Sequence, residues 1–489
     1  MIRSVRSTIV AVVIAVALGL PQSAMAPTGE VAPSSPAASG GVDGVEATPR
    51  SVVTPAPATT PATAVATPPA PSIGDVPAAL EPGSVNRSSY ALKVTYDVGV
   101  TLHFNDRLLR VDSLMTITNT SGSAIDRLEL NTIAARLGGL RVTAASVAGK
   151  AVSVAIDDQT LIVPLGGVLA AGATVQARLI YRSQLRSTLG GSNWMFTRTN
   201  GVIDAYRWLP WVSRRVPFNR PNHGDPFITP SSPSVRVRVT TDRPLVLATT
   251  GDRVAVSGLT QTFVAQNVRD FTITASPDYR TGSVVVGATT VRVYYRAGGP
   301  GSAILSAAKS ALSKMSALVG TYPYRTFKVV QSAGGYGMES PGLIWVPTGV
   351  ASGNVRYLVH HETAHQWFYG LVGSNQAYEP FTDEAAADFL ARYALSQRRS
   401  SRCATGRLDL STYAYSSTCY YETVYIQGGN FLDDLRRRMG STAFWRGLRG
   451  YVAANRFGIT TTKQLLDTLD AATPLDLVPR YAPRFPRIY

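Results

Sequence analysis

LVHHETAHQWFYG, residues 358–370, contains three of the five histidines of the chain within six positions. On a helix, His361 and His365 stand four residues apart, so both imidazoles project from the same face. Two neutral imidazoles at this spacing can take two corners of a zinc tetrahedron, and Glu362 lies beside them. His360 points ~100° away from His361 and is not expected to be a ligand. The stretch therefore predicts a metal site on a helix.

The third ligand is expected on a second helix. Metzincins carry Gly and His three and six residues after the second histidine, but Phe368 and Leu371 stand there, so that class is excluded. Further on, FTDEAAADF places Glu384 after His365 with eighteen residues between them. Its carboxylate completes the set of two histidines and one glutamate that leaves a fourth position open in catalytic zinc enzymes. Asp388, one turn later, is predicted to accept the free ring N–H of a ligand histidine. The alternative is that both acids are solvent-facing charges.

The N-terminus has the layout of a secretory signal peptide, predicted for residues 1–26. Arg3 and Arg6 precede an apolar run that ends at Leu20, and Ala24-Met25-Ala26 forms a small-residue cleavage site. The run is shorter than the ~20 residues that span a bilayer, so an uncleaved anchor is the less favoured alternative. We therefore expect a soluble exported protein, extracellular or associated with the cell envelope, with no stable membrane span.

The remaining chain divides into three segments by composition and period. Residues 27–85 are rich in Pro, Ala and Thr and are predicted to be a disordered linker. Residues 86–285 contain short alternating runs such as YALKVTYDVGVTLHF, which predict an antiparallel β-sandwich or an open saddle. Residues 286–489 contain apolar positions at helical spacing, as in SAILSAAKSALSKMSALVG. The predicted fold class is α+β, with an all-β domain followed by a mainly helical catalytic domain.

The net charge of the chain limits the classes of partner that it is expected to bind. The formal net charge is +16, from 47 basic and 31 acidic residues. The basic residues are spread along the chain, and no motif that would read a nucleic acid is evident. The excess of positive charge is therefore expected to favour solubility or a weak attraction to anionic polymers of the cell envelope.

Cys403 and Cys419 are the only cysteines. In an oxidising compartment a disulfide between them is expected, and on the chain-entropy model it would stabilise the fold by ~3 kcal/mol. Two free thiols are the alternative. A metal site is not expected, because a structural zinc site needs further Cys or His ligands.

Taken together, these motifs resemble the aminopeptidase N family of gluzincin metallopeptidases, peptidase family M1, whose pattern is HExxH, eighteen residues, then Glu. Upstream, GTYPYRTFKVVQSAGGYGMESPGLIWVP is similar to the YPY segment and the GxMEN motif of the family. Downstream, VYIQGGNFLDDLRRRMG is similar to its tyrosine-bearing helix. The resemblance implies a saddle-like β domain and a thermolysin-like catalytic domain, in a short member without the C-terminal helical domain of longer relatives.

The resemblance also implies roles for individual residues. His361, His365 and Glu384 would bind one zinc ion per chain, and Glu362 would polarise the zinc-bound water and pass its proton to the leaving amine. Tyr425 would donate a hydrogen bond to the tetrahedral oxyanion. Four neighbouring tyrosines remain alternative donors: Tyr413, Tyr415, Tyr420 and Tyr421.

The GxMEN-like segment implies a substrate site. Glu339 would hold the free α-ammonium group of a peptide, with Gly337 and Met338 beside it, and the edge strand there would pair with the peptide backbone. Ser340 and Gln427 replace the usual Asn and Lys of the family. No second amine-binding residue is identified, and WMFTRTNGVIDAYRWLPW is only the candidate region for it.

The expected function is that of an exported zinc-dependent peptidase, an aminopeptidase acting on peptides or proteins. An endopeptidase on the same site is the first alternative. A catalytically silent, zinc-stabilised binding scaffold is the second. Glu362 argues against the scaffold, because a structural zinc site needs no base and is closed by four protein ligands.

Overall fold

The computed structural model describes residues 79–218 and 228–489. The predicted signal peptide, 1–26, and the predicted linker as far as residue 78 lie outside the described residues. The last part of the predicted linker is described, and Leu80–Glu81 form a short strand that pairs with Val168 and Leu169.

The first part of the chain is built almost entirely of strands, as its period-two pattern predicts. Its one α-helix among the described residues is α1 (Ile133–Gly138), and Asn193–Met195 form a 3-10 helix. The strands are β1 (Leu80–Glu81), β2 (Leu92–His103), β3 (Leu108–Asn119), β4 (Ile125–Asn131), β5 (Arg141–Val147), β6 (Lys150–Ala151), β7 (Ala155–Asp157), β8 (Thr160–Leu169), β9 (Thr174–Gln184), β10 (Phe196–Thr199), β11 (Val202–Ala205), β12 (Trp211–Val212), β13 (Val235–Thr241), β14 (Val246–Thr249), β15 (Asp252–Ser257), β16 (Thr260–Ala265) and β17 (Ile273–Ser276).

The largest sheet of this part has eight strands in the order β15-β16-β13-β2-β3-β9-β5-β6. Its pairs are antiparallel except β13 with β2, which is parallel. Along β2, β3 and β9, alternate residues are buried. One face of the sheet therefore forms a core, and the other faces solvent.

Two smaller sheets complete the β-rich part. One has the order β1-β8-β4-β12, with β7 also paired to β8, and the other has the order β10-β11-β17-β14. Their apolar residues join those of the large sheet in a single core that contains Tyr181, Trp208 and Phe271. The architecture agrees with the predicted multi-stranded β domain.

The second part of the chain contains a mixed sheet and most of the helices. Its strands are β18 (Arg280–Val286), β19 (Thr289–Tyr295), β20 (Thr326–Ser332), β21 (Met338–Ser340), β22 (Leu343–Pro347), β23 (Gly373–Ser374) and β24 (Ile459–Thr460). Its helices are α2 (Gly301–Val319), α3 (Ser352–Ala364), α4 (Ala386–Ala394), α5 (Gly428–Met439), α6 (Ser441–Ala454), α7 (Thr462–Asp470) and α8 (Val478–Tyr481), with π-helices at Phe381–Ala385 and Tyr421–Gln427.

The mixed sheet, in the order β18-β19-β20-β22-β21, joins the two parts. Successive side chains of a strand point to opposite faces, and here the two faces serve different cores. Val329 and Ile344 lie in the core of the helical part, while Val330 and Trp345 lie in the core of the β-rich part. The parallel strands β20 and β22 are therefore buried on both faces, which fixes β21 relative to both parts.

The arrangement confirms the predicted α+β class, a β-rich domain followed by a mainly helical one. The predicted boundary between residues 285 and 286 falls inside β18, which pairs with β19 in the mixed sheet. Within the two described ranges, no helix is both long enough and apolar enough to cross a bilayer.

Candidate active site

Helix α3 carries the first histidine and its neighbouring glutamate into the interior. His361 and Glu362 are 6% and 5% exposed, and His365 follows the end of the helix with only 1% exposed. The backbone of His365 is still close to helical, with φ −62° and ψ −12°. Both imidazoles therefore keep the common face that their spacing predicts.

The structure brings the three predicted metal ligands together. His361 Nε2 and His365 Nε2 lie 3.2 Å apart, and Glu384 Oε2 lies 3.3 Å from the first and 3.4 Å from the second. Two ligands of a tetrahedral zinc ion, each ~2.05 Å from the metal, are about 3.3 Å apart. The triangle of donor atoms therefore has the size that a zinc ion requires, and the donor types are those zinc prefers.

Asp383 fixes the ring of His365. His365 Nδ1 donates to Asp383 Oδ1 at 2.7 Å and lies 3.0 Å from the carbonyl oxygen of Phe368. Both partners are acceptors, so Nδ1 carries a proton, and Nε2, which faces His361 and Glu384, is the nitrogen that could bind a metal once deprotonated. Burial would lower the pKa of His365, but the charges of Asp383 and Glu339 raise it well above its ordinary value.

Asp388 does not take the role predicted for it. Its carboxylate accepts hydrogen bonds from the hydroxyl of Tyr357 and from Arg392 Nε, the latter at 2.8 Å. The Nδ1 atom of His361 is buried and has no hydrogen-bond partner in the described parts of the chain. The carboxylate that orients a ligand histidine is therefore Asp383, and Asp388 instead holds α3 to α4 through Tyr357.

Glu362 lies beside the candidate metal ligands, with one carboxylate oxygen within 4.8 Å of a ring nitrogen of His365. Burial raises its pKa from 4.5 to about 7, against the opposing effect of His361 and His365. Gly337 lies so close that a methyl group added there would collide with Glu362 Oε1 and with the side chain of Leu358. The absence of a side chain at Gly337 therefore makes room for the carboxylate.

Tyr425 reaches the candidate metal ligands. Its ring stacks on that of His361, with 5.6 Å between ring centroids and 17° between planes. Burial raises the pKa of its hydroxyl well above 10, and Glu384 adds to the effect through its charge and a hydrogen bond. Tyr420 and Tyr421 pack against Tyr425.

Glu339 lies on β21, at the edge of the mixed sheet. One carboxylate oxygen of Glu339, one of Glu362 and one ring nitrogen of His365 all lie within 4.8 Å of one another, so Glu339 borders the candidate metal site. Met338 departs from its predicted role, because its side chain is 5% exposed and packs in the core of the β-rich part. Strand β21 pairs with β22 along one edge. Along its other edge, no strand among the described residues pairs with it.

Gln376 connects the two acidic groups of the site. Its Nε2 donates to Asp383 Oδ2 at 2.6 Å and to Glu339 Oε1 at 3.2 Å. Its Oε1 accepts from Arg207 Nη2 at 3.0 Å, which fixes which way the amide faces. Arg207, 2% exposed, also donates to Tyr369 Oη. The β-rich part thus reaches the site through Arg207, which lies in the candidate region and is linked to Glu339 through Gln376.

The two positions that differ from the family pattern serve as structural contacts. Ser340 Oγ bonds to Asp270 and lies 3.0 Å from Thr250 Oγ1, so it ties β21 to the β-rich part. Gln427 Nε2 donates to the carbonyl oxygens of Cys403 and Ala404. The predicted disulfide between Cys403 and Cys419 is formed and closes the loop that Gln427 holds.

Sequence reasoning missed Asp383, Gln376 and Arg207. Asp383 and Gln376 contact residues far from them in sequence, so no local period marks them. Arg207 carries a signal that could have been used, because an arginine within the apolar run AYRWLPW is expected to be buried with a partner.

No protein-family model and no curated protein matches the sequence. Solved structures do match. A mutant of an M1 zinc metallopeptidase from Deinococcus radiodurans is 21% identical, with a TM-score of 0.64, over 80% of this chain and 94% of that one. A mutant bound to a Tyr-Ser-Ala substrate, from the same organism, is 22% identical, with a TM-score of 0.63, over 80% and 93%.

A mutant of a two-domain M1 zinc metallopeptidase bound to L-tryptophan is 22% identical, with a TM-score of 0.61, over 78% of this chain and 91% of that one. At this level of identity the similarity establishes the fold. The chain has the two-domain fold of these M1 zinc metallopeptidases, over nearly their whole length.

Proposed function

We propose that the protein is a zinc-dependent peptidase that removes residues from the free amino terminus of peptides. The observation that carries the proposal is the triangle of His361 Nε2, His365 Nε2 and Glu384 Oε2, with Glu362 beside it and Glu339 within reach. A base, three ligands and an amine-binding carboxylate meet at one place, on a fold shared with zinc metallopeptidases.

His361, His365 and Glu384 would hold the ion. A zinc ion bound by three protein groups lowers the pKa of its water to ~7 and polarises a carbonyl group. Hydrogen bonds from the two histidines hold the pKa of Glu384 well below its ordinary value, although burial opposes them. Glu384 is therefore a carboxylate, ready to bind a cation, at any physiological pH.

Glu362 would handle the proton. A group whose pKa lies near the working pH can both accept and return a proton, and burial gives Glu362 a pKa of about 7. A bound dication would lower this value and favour the basic form. The carboxylate would take a proton from the attacking water and give it to the nitrogen of the leaving amine.

Tyr425 would stabilise the oxyanion of the tetrahedral adduct. Its pKa is raised well above 10, so the hydroxyl keeps its proton and can donate it in a hydrogen bond. One well-placed donor of this kind is worth ~3 kcal/mol of transition-state stabilisation. The stacking of its ring on His361 and the hydrogen bond between its hydroxyl and Glu384 support this role.

Glu339 would bind the α-ammonium group, and the open edge of β21 would pair with the backbone of the peptide. Gln376 supports this assignment, because its amide holds Glu339 Oε1 in place at 3.2 Å. The similar structures bound to a Tyr-Ser-Ala substrate and to single amino acids support a ligand with a free α-ammonium group.

We further propose that the protein works outside the cytoplasm. The N-terminal layout of a signal peptide and the Cys403–Cys419 disulfide both support export to an oxidising compartment.

The test is a mass-spectrometric time course on unstructured peptides, half with free and half with acetylated amino termini. We expect stepwise shortening of the free peptides alone, stopped by a zinc chelator and restored by zinc. Acetylation removes the charge that Glu339 would bind, so the acetylated peptides are expected to stay intact.

Glu362→Gln is the control for the chemistry. It is expected to retain zinc and lose turnover, and cleavage by this variant would reject the assigned base. Internal cuts in both sets of peptides would make the protein an endopeptidase. No cleavage by the wild type with zinc bound would leave a silent scaffold.

A further inference from the structure

A line of arginines crosses the solvent face of the eight-stranded sheet. Arg141 on β5 stands directly opposite Arg182 on β9, and Arg182 stands directly opposite Arg110 on β3. All three are exposed, while Leu109 and Tyr181, one position away along the strands, are buried. Neighbouring strands are ~4.8 Å apart, so three guanidinium-bearing positions fall within ~10 Å.

Nothing within the fold explains this line. Among the residues described, none of the three arginines has a carboxylate partner. Asp112 and Asp97, on the same face, accept hydrogen bonds from Arg178 Nε at 2.8 Å and from Arg238 Nη1 at 2.6 Å. Like charges directly opposite one another destabilise a sheet. The line therefore weakens the fold, which suggests that it binds an anion.

The same line continues as hydroxyl groups. Arg110 is opposite Thr101, Thr101 is opposite Thr240, and Thr240 is opposite Thr260. A depression of about 420 Å³ is lined by Arg182, Arg110 and the three threonines, together with Asp112 and Arg238, but not by Arg141. Gly99 also lines the depression, and no atom lies within 4 Å of the position that a Cβ atom would take there.

We propose that this face docks a linear acidic polysaccharide along the arginine line, defined as Arg141, Arg182, Arg110, Thr101, Thr240 and Thr260. Guanidinium forks bind carboxylate or phosphate groups in pairs of hydrogen bonds, and threonine hydroxyls can bond to sugar hydroxyls. Six neighbouring strands give the line a length of ~24 Å, enough for several sugar units.

The chemistry of the line favours a polysaccharide over other polyanions. Its six residues include no aromatic side chain on which a nucleic-acid base could stack. They also include no large apolar side chain that would enter a bilayer. The ligand is instead hydrophilic and linear, and bears charges and hydroxyls.

The test is the binding of fluorescent polygalacturonate to the purified full-length chain at a series of salt concentrations, with neutral dextran as the polymer control. We compare the wild type with the triple variant R110Q/R141Q/R182Q. A matched triple variant, R280Q/R438Q/R480Q, removes the same charge from exposed arginines on β18, α5 and α8. The line variant is expected to bind about tenfold more weakly or worse, with a shallower salt dependence, and the matched variant to bind within about twofold of the wild type.

The binding test requires that the variants remain folded. Removal of like-charge repulsion is expected to leave the line variant at least as stable as the wild type at low salt, and the single variant R182T serves if the triple variant fails to fold. Equal loss of binding in both triple variants, or no binding of polygalacturonate by the wild type, would overturn the proposal. Equal or tighter line-dependent binding of a single-stranded oligonucleotide or of anionic vesicles would overturn the assignment to a polysaccharide.

Discussion

His365 Nδ1 donates a hydrogen bond to Asp383 Oδ1 across 2.7 Å, in an interior where His365 is 1% exposed. This bond holds Nε2 toward His361 and Glu384. A carboxylate in this position raises the basicity of the ligand and fixes its tautomer. We expect Asp383→Ala to lower zinc affinity by roughly 10- to 100-fold, measured by competition with a chromophoric chelator.

Asp388→Ala is the matched control, because Asp388 is equally buried but bonds to Tyr357 and Arg392. We expect it to lower the free energy of unfolding and to leave the zinc affinity of the folded protein within about twofold, because it touches no ligand. Equal losses of zinc affinity in the two variants would contradict the role assigned to Asp383.

Gly337 gives a second test of the site. A methyl group there would collide with Glu362 Oε1, so Gly337→Ala is expected to displace the carboxylate. Misplacement of a catalytic group by ~1 Å costs about 100-fold in rate, and we expect a loss of this order in kcat/KM with zinc content unchanged. Gly349→Ala, where nothing lies within 4 Å of the added atom, is the control and is expected to be fully active.

The ligand set was predictable because its signal is local. His361 and His365 are four apart on one helix, and Glu384 follows at a fixed distance along the chain. The prediction for Asp388 failed for a physical reason. It assumed that Glu384 and Asp388 lie on one face of an α-helix, but Glu384 lies in the π-helix Phe381–Ala385. A π-turn carries more residues per turn than an α-turn, so positions four apart no longer align.

The long-range part of the site was not predictable in this way. Arg207 meets Gln376 across 169 residues of sequence, because the mixed sheet joins the two parts of the chain. Period and composition report which residues are buried, but not which buried polar groups meet. The side chain of Met338 illustrates the same limit, since alternation along β21 turns it to the core and Glu339 to the site.

Gln376 is expected to matter for substrate binding. Gln376→Leu removes the hydrogen bonds to Asp383 and to Glu339. For the loss at Glu339, a hydrogen bond to a charged group is worth ~1.5–3 kcal/mol. Because this bond is 3.2 Å long, we take the low end of that energy range, which corresponds to about a tenfold rise in KM for peptides with a free amino terminus. We expect kcat to fall by a smaller factor. Steady-state kinetics on a free tripeptide measure both constants.

Gln397→Leu, at an exposed glutamine that follows α4, is the control for this variant and is expected to leave both constants unchanged. A fall in kcat with KM unchanged in Gln376→Leu would show that the residue acts on the chemistry and not on substrate binding through Glu339.

Asp204 predicts a dependence of stability on pH. It lies on β11, fully buried, and its Oδ2 accepts the backbone N–H of Ala333 at 2.7 Å, just before the turn that leads to β21. Burial raises its pKa from 3.8 to about 8, against the opposing hydrogen bonds from Ala333 and Thr274. Between these two values the folded state holds a proton that the unfolded state has released. The contribution of Asp204 to stability is therefore complete below about pH 4 and is lost as the pH rises to about 8, by at most ~1.4 kcal/mol per pH unit.

Asp204→Asn isolates this contribution, because the amide has the shape of the neutral acid and its oxygen can still accept from Ala333. Urea unfolding of both proteins between about pH 5 and pH 9 gives the difference in the free energy of unfolding. We expect the wild type to lose stability relative to the variant up to about pH 8. Above about pH 8, Asp204 is ionised in both the folded and the unfolded wild type. Its titration then no longer changes the difference in the free energy of unfolding. A difference that stays constant over the whole range would mean that Asp204 is already charged in the folded protein, and that its bond to Ala333 outweighs the cost of burying the charge.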